Sequence, residues 1–348
     1  ITYSKQWLLK SSEMAHLVID AVKRGNIAFF PKNWGKITSN WMKDIQDWCI
    51  SSESKEGYRI PAYHCIACKQ LIVEEHRPRK CNACGSHQLK QSPNTLEKWF
   101  YSVLLALSLL PATLLVINHN IPSHWLSTLI MLGILLSKDT QFHEVFMQGL
   151  IQAEINQRPA PSRDISKIIL EKQKKIGYDT LRFILAIQAS AGLTSTFSEK
   201  RIKGYKRLTN KIWNASRYVL KNFREEKDSK INFKKISDTD KWILNNLNIL
   251  TDKINDLMDK YKINKAADLI FHFFWHTYCD WYIEFSKCDL GNKNTGKVLK
   301  FTLFRLLQLM HPFLPFITEE IYKILNLGKE KSLIQTEYPV FTSNLVFT

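Results

Sequence analysis

Apolar residues recur at helical spacing along much of the chain, most clearly in its second half. Ile243, Leu247, Leu250, Ile254 and Leu257 form one stripe. Ile270, Phe273, Phe274, Thr277, Trp281 and Phe285 form a second, and Leu303, Leu306, Leu307 and Met310 a third, ended by Pro312 and Pro315. A fourth stripe, Ile202, Tyr205, Leu208, Ile212, Ala215 and Val219, has an unusual opposite side. Lys200, Lys203, Arg207, Lys211, Asn214, Arg217 and Lys221 fall along it. Residues 199–221 therefore predict an amphipathic helix with an apolar inner face and a cationic outer one. Thr318 followed by Glu319 and Glu320 predicts another helix start, a hydroxyl cap with acids on the positive end of the dipole. From about residue 196 onward the pattern is all-helical.

Before that point the periodicity alternates. Met14, Leu17, Val18 and Val22 lie at helical spacing, and Ile27-Ala28-Phe29-Phe30 reads as a short strand closed by Pro31. Val116 and its neighbours predict a strand, Trp125 to Leu132 a helix, and Glu144-Val145-Phe146-Met147 another strand. Strands alternating with helices predict an α/β domain with a parallel sheet. The apolar run from Phe100 to Ile117 approaches the length of a membrane span, but Pro111 interrupts it and it stands alone, so no membrane helix is expected.

A chain of 348 residues with 45% apolar content can bury a large core in two or more domains. The formal net charge of +17 is not ordinary. Residues 200–235 alone contribute about +10, and an excess so localised points to a nucleic-acid face. An anionic membrane surface and a merely solvated lysine-rich helix are the alternatives. The segment Ile1-Thr2-Tyr3-Ser4-Lys5-Gln6-Trp7 reads as no secretory signal, and the expected location is the cytoplasm or an organellar matrix.

Of seven cysteines, Cys49, Cys279 and Cys288 stand apart, and four form two close pairs. Cys65-x-x-Cys68 and Cys81-x-x-Cys84 are separated by twelve residues, a spacing that lets two tight turns converge on a tetrahedral Zn²⁺. Gly85 and Pro78 suit the turns, and His64 and His87 flank the site. Four sulfur ligands would close the coordination sphere, so this zinc holds structure and activates no water. Histidines 119, 124 and 143 are scattered, and His272 and His276 lie four apart without a third ligand; none is assigned a catalytic or metal role.

Several segments, in order, resemble valyl-tRNA synthetases. They are Trp41-Met42-Lys43-Asp44-Ile45-Gln46-Asp47-Trp48-Cys49-Ile50-Ser51, then Gly57-Tyr58-Arg59-Ile60-Pro61, Gly177-Tyr178-Asp179-Thr180-Leu181-Arg182, and Asn210-Lys211-Ile212-Trp213-Asn214-Ala215-Ser216-Arg217. Cys279-Asp280-Trp281-Tyr282-Ile283-Glu284 and His311-Pro312-Phe313-Leu314-Pro315-Phe316-Ile317-Thr318-Glu319-Glu320-Ile321 complete the series. The resemblance spans nearly the whole chain. It implies the second half of a class I synthetase Rossmann-type catalytic domain followed by a helical-bundle anticodon-binding domain. Residues 1–35 would be a remnant of the editing-domain junction, 36–195 the partial catalytic domain with a zinc knuckle inserted at 64–90, and 196–348 the anticodon-binding domain. In this frame Pro111 to Ile117 corresponds to a buried central strand, and some family members carry such a zinc ribbon. The basic helix becomes the tRNA contact, with Lys203, Arg207, Lys211 and Arg217 on phosphates and Trp213 packed rather than stacking.

The family's chemistry needs a His-x-Gly-His motif and a KMSKS-type loop. The first is absent from this sequence, which is expected to begin beyond that half of the fold. The loop falls on Arg158-Pro159-Ala160-Pro161-Ser162, where Arg158 keeps one cation, Pro161 replaces the second functional lysine, and two prolines stiffen the backbone. Lys55 and Glu56 stand where the family has aromatic walls, and Asn118-His119-Asn120 stands where it has a GFD run. No catalytic motif is intact, which argues against ATP use by this chain alone. The implied reading is a tRNA-binding, catalytically degenerate relative. Its rivals are one half of a split working enzyme completed by another protein chain, and a non-enzymatic scaffold that reuses the fold.

Overall fold

The computed structural model describes residues 5–54, 56–121, 123–155, 158–159, 176–188, 190–197, 199–222, 231–289, 292–326, 328 and 330–347. At 153–155, 158–159, 196–197, 199–203 and 234 only the backbone is described. The chain divides into two compact units, Ile1–Met147 and Gln148–Thr348.

The first unit is built on the predicted alternation. Helix α1 (Ser11–Lys23) leads through Gly25 into strand β2 (Ala28–Phe30), a short β1 (Leu8–Leu9) having preceded them. Helix α2 (Asn33–Lys43), β3 (Trp48–Cys49) and β4 (Ser51–Ser52) follow. After the cysteine-rich segment come β8 (Thr95–Leu96), α3 (Lys98–Ser108), β9 (Leu114–Asn118), α4 (Ser123–Ser137) and β10 (Glu144–Gln148). Strands β2, β10 and β9 form a sheet in that order, with β10 and β2 parallel and Val145 opposite Phe29. Helix α4 is buried almost all round, from Leu126 to Gly133, as its largely apolar sequence allows. The run from Phe100 to Ile117 resolves into α3, a cis Leu110–Pro111 bond and β9. No described helix is long and apolar enough to cross a membrane.

Inserted in this unit is a separate three-stranded antiparallel ribbon in the order β6 (Leu71–Val73), β5 (Ala62–Cys65), β7 (Leu89–Gln91). It has its own small core of Tyr63, Cys65, Ile72, Cys81 and Leu89.

The second unit opens with β11 (Leu150–Ile155), which pairs with the antiparallel β12 (Arg158–Pro159) and the parallel β13 (Thr194–Phe197). Gly149 is required at the entry, because a Cβ there would sit 2.1 Å from the carbonyl oxygen of Ser190. Helix α5 (Tyr178–Gln188) is two-sided. Leu181 and Ile184 pack towards Ile151, while Phe183 joins the helical core.

That core gathers α6 (Glu199–Asn222), α7 (Asp238–Asp259), α8 (Ile263–His272), a π-helix (Phe273–Tyr282), α9 (Ile283–Lys287), α10 (Lys293–Met310) and α11 (Pro315–Leu325). Ile243, Leu247, Leu250 and Ile254 on α7 are buried as their spacing predicts, as are Leu303, Leu306, Leu307 and Met310 on α10. Ser237 caps α7, with a reciprocal bond from its own amide to the Asp240 carboxylate.

Two expectations fail here for physical reasons. The stripe read through Thr277, Trp281 and Phe285 assumed α-helical turns, but the segment Phe273–Tyr282 is π-helical. Wider turns shift the inward positions to Phe274, Tyr278 and Tyr282 and leave Trp281 57% exposed, with Phe285 exposed beside it. Thr318 does not start a helix: Pro315 does, at the first turn of α11, where its missing N–H costs nothing. Thr318 lies one turn inside, buried, donating its hydroxyl to the Leu314 carbonyl.

Candidate functional site

Three groups of residues were singled out by the sequence, and each has a distinct environment. The first is the outer face of α6. Leu208, Ile212, Ala215 and Val219 are buried in the helical core, which fixes the roll of the helix. Arg207, Asn214, Arg217 and Lys221 consequently face solvent along one side. The side chains of Lys200 and Lys203 lie outside the described residues. Trp213 is 38% exposed, more open than a packing role implies.

Lys211 differs from its neighbours. Its Nζ lies 2.6 Å from Asp280 Oδ1 and 4.1 Å from the centroid of the Trp275 ring. Burial disfavours the Asp280 carboxylate, but the Lys211 hydrogen bond and charge hold its pKa below the usual range. The other Asp280 oxygen meets His276 Nδ1 at 3.1 Å, and His276 stacks on His272, which pairs with Asp268. Lys211 thus ties α6 to the π-helix rather than standing free, and two partners absent from the predicted site, Trp275 and Asp280, belong to it. Asp280 had been visible only as part of a familiar sequence phrase; its partner lies 69 positions away.

The second group is the cysteine quartet. Sγ atoms of Cys65, Cys68, Cys81 and Cys84 all lie within 4.8 Å of one another. Cys65 and Cys84 approach to 3.6 Å, as do Cys68 and Cys81. That is far beyond a disulfide bond of about 2.05 Å. It is close to the edge of about 3.8 Å that a ZnS₄ tetrahedron has when each Zn–S bond is about 2.3 Å. Both turns are built alike. Lys69 N donates to Cys65 O and Gly85 N to Cys81 O, each at 2.9 Å, and Lys69 and Gly85 both take positive φ, 59° and 73°. The Cys68 backbone amide, which points at the Cys65 sulfur, is the main cause of a thiol pKa pulled down to about 6. The Cys84 amide likewise lowers the Cys81 thiol pKa. His87 Nδ1 is engaged 2.9 Å from the Arg79 carbonyl, and His64 is exposed on the ribbon, so the geometry favours four sulfurs as the ligand set.

The third group is the set of positions at which the resemblance places the family's catalytic motifs. Arg158 and Pro159 are described only as the backbone of β12, paired with Ile155 and Glu154. Ala160, Pro161 and Ser162 lie outside the described residues, as does Lys55. At the carboxyl end of β9, where open α/β sheets bind ligands, Asn118 Oδ1 accepts the Asn120 amide at 2.9 Å and closes a tight turn into α4. His119 of this turn lies beside Trp34. Behind it, Trp41, Trp48, Trp99 and His124 form a contiguous aromatic cluster, with Trp99 and His124 ring centroids 4.9 Å apart. Burial lowers the His124 pKa and favours its neutral form.

The family model for tRNA synthetases class I (I, L, M and V) matches residues 1–198, and that for the anticodon-binding domain of tRNA ligase matches 240–347. The valine--tRNA ligase of Thermotoga maritima is 35% identical over 99% of this chain and 41% of its own length. That of Bdellovibrio bacteriovorus is 33% identical over 97% and 40%. The chain thus spans about two fifths of the curated relatives it matches. Among solved structures, methionyl-tRNA synthetase of Mycobacterium tuberculosis in complex with methionyl-adenylate aligns with a TM-score of 0.69 at 15% identity, over 92% of this chain and 62% of that one. A LeuRS–tRNA–LeuAMS ternary complex of Agrobacterium radiobacter aligns at 0.66 and 17%, over 87% and 43%.

Proposed function

Since the chain belongs to the class I tRNA synthetases, in the valine--tRNA ligase family, we propose that it binds tRNA through its helical unit and is catalytically silent by itself. The carrying observation is the solvent face of α6. There Arg207, Asn214, Arg217 and Lys221 are aligned by a buried opposite face, with no ion pair recorded for Arg207, Arg217 or Lys221 among the described residues. Cations so aligned suit a phosphate backbone. The anticodon-binding match, residues 240–347, begins after α6 but lies in the same compact unit, which supports tRNA binding by that unit.

The sequence at the reacting positions supports this silence. A segment with Arg158 and Pro161 in place of two lysines offers one cation where charge builds on a leaving pyrophosphate, and a lost donor of this kind costs about 3 kcal/mol. In the knuckle, Cys65, Cys68, Cys81 and Cys84 would hold a structural Zn²⁺ that cross-links two turns and leaves no open coordination position. Two close cysteine pairs suited to a metal, rather than a disulfide framework, fit a reducing location such as the cytoplasm.

A second reading rests on β9. Its apolar sequence suits a strand buried on both faces, yet it lies at the end of the described sheet order with Val116 53% exposed. Leu109, at the end of α3, is 77% exposed and Leu136, at the end of α4, 71%. Both helix ends lie where β9 begins, because α3 leads into it and α4 runs back from it. An α/β segment that adds strands beside β9, on the same polypeptide or another, would cover these residues and supply the His-x-Gly-His element.

Valine-dependent ATP–pyrophosphate exchange, measured with and without added N-terminal half, separates the readings. No exchange in either case supports the silent relative, exchange only in the mixture supports the split enzyme, and exchange by the chain alone refutes both. Binding of a tRNA transcript across a salt series tests the α6 face: Arg207→Ala/Arg217→Ala should flatten the slope by about 2, and an unchanged slope removes the proposal.

A further inference from the structure

The cysteine ribbon carries a second cationic surface that is independent of α6. Between Glu75 and the second knuckle the chain reads His76-Arg77-Pro78-Arg79-Lys80, and Arg77, Arg79 and Lys80 are all exposed. Lys69 at the first knuckle and Lys90 on β7 are exposed as well. The acids of the ribbon are Glu74 and Glu75; Glu74 is taken by the Asn82 amide at 3.2 Å. Among the described residues no ion pair is recorded for any of the five cations.

This basic turn is not a loose loop. His87 Nδ1 holds the Arg79 carbonyl at 2.9 Å, and immediately after Lys80 the chain enters the second knuckle, where Cys81 N donates to Ser86 O at 2.8 Å. Contacts to the main chain therefore fix the turn while leaving the arginine and lysine side chains exposed. The ribbon also has an open face. Cross-strand pairing aligns Leu71, His64 and Lys90 in one exposed row, while Tyr63, Ile72 and Leu89 fill the opposite side. Held cations on a ribbon that also presents an open three-stranded face suit an extended polyanion better than a compact one.

We infer that the ribbon is a second RNA contact, with Arg77, Arg79 and Lys80 on the sugar–phosphate backbone and His64 and Lys90 continuing the surface. It rests on the reading that the chain binds RNA, but uses different residues in the other compact unit.

The test is binding of an unmodified tRNA transcript to the full chain across a salt series. The variants are Arg77→Ala/Arg79→Ala/Lys80→Ala and the charge-keeping Arg77→Lys/Arg79→Lys/Lys80→Arg. Each phosphate contact contributes about 0.9 to the slope of log affinity against log salt, so the alanine variant should lose about 2 to 3 from the slope and the charge-keeping one almost nothing. An alanine variant with the wild-type slope, while Arg207→Ala/Arg217→Ala lowers it, overturns the ribbon contact and leaves the α6 reading standing. No binding by the wild type overturns both. Ribbon-dependent binding to phosphatidylserine vesicles without binding to the transcript overturns it in favour of a lipid surface.

Discussion

The carboxylate of Asp179 accepts the backbone amide of Ile317 at 2.6 Å, and its other oxygen accepts that of Phe316 at 3.2 Å, across 138 and 137 positions of sequence. Arg182, one turn further along α5, donates to the Pro312 carbonyl at 2.9 Å. Two phrases that were legible separately in the sequence therefore meet, and one caps the first turn of the helix the other forms. Pro315 and its neighbours have no local side chain to satisfy those amides.

Asp179→Ala should accordingly destabilise the helical unit by about 1–2 kcal/mol. Urea unfolding followed by circular dichroism would measure it. A loss below a few tenths would mean that the bridge is not a cap in solution.

His311 makes the same region sensitive to acid. Burial lowers its pKa, against the opposing pull of Glu319 and Asp179, and its Nδ1 lies 2.8 Å from the Thr318 hydroxyl. A folded pKa below the unfolded value of about 6.5 means that this contribution is complete above that pH and is lost as pH falls through the lowered value. Between pH 7 and pH 5 the wild type should therefore lose more stability than His311→Gln. Parallel unfolding curves at the two pH values check this, and equal losses would contradict it.

Tyr282 and Trp281 are adjacent and should behave oppositely. Tyr282 donates its buried hydroxyl to Asp240 at 2.6 Å, and Asp240 is fully buried. Tyr282→Phe should cost about 1–3 kcal/mol, since it leaves a buried acceptor short of a donor. Trp281→Ala, at an exposed site, should cost well under that. Denaturant midpoints decide between this arrangement and an α-helical register, in which Trp281 would be the costly position.

Thiol reactivity should report the knuckle. Cys49 and Cys288 are exposed and Cys279 is buried with its thiol pushed up to about 12. With metal held by the quartet, native protein should react rapidly at two thiols, and a strong chelator should release four more together. Elemental analysis should find one zinc per chain. Fast reaction of Cys68 and Cys84 before chelation, with no bound metal, would overturn the metal-holding role.

Lys211 should separate folding from binding. Removing it breaks the contacts with Asp280 and Trp275, so Lys211→Ala should cost about 0.5–1 kcal/mol in stability. Its effect on the salt slope of tRNA binding should be smaller than that of Arg217→Ala. The reverse order would identify Lys211 as the phosphate contact after all.

Much of this molecule was written in local signals. Spacing alone placed the buried faces of α6, α7 and α10, because each is a regular α-helix whose period matches its burial. The cysteine pairs announced their own convergence through turn geometry. What failed was what period cannot carry. Trp281 was misplaced because the backbone changes its hydrogen-bonding step at Phe273 without any proline or glycine to mark it. Thr318 looks like a cap only because the true cap, Asp179, is remote in sequence. Lys211 looked like its neighbours because nothing in a helical wheel distinguishes a cation facing water from one facing Asp280.

The widened turns at Phe273–Tyr282 hold more residues per turn than the α-helices on either side. Such a stretch has slack in chain length: deleting one position could be absorbed by reverting to ordinary coiling, with Tyr278 or Tyr282 surrendering its place to a neighbour. Relatives that differ by a single insertion or deletion should therefore concentrate that difference here, and the outward tryptophan should be the first residue to change when they do.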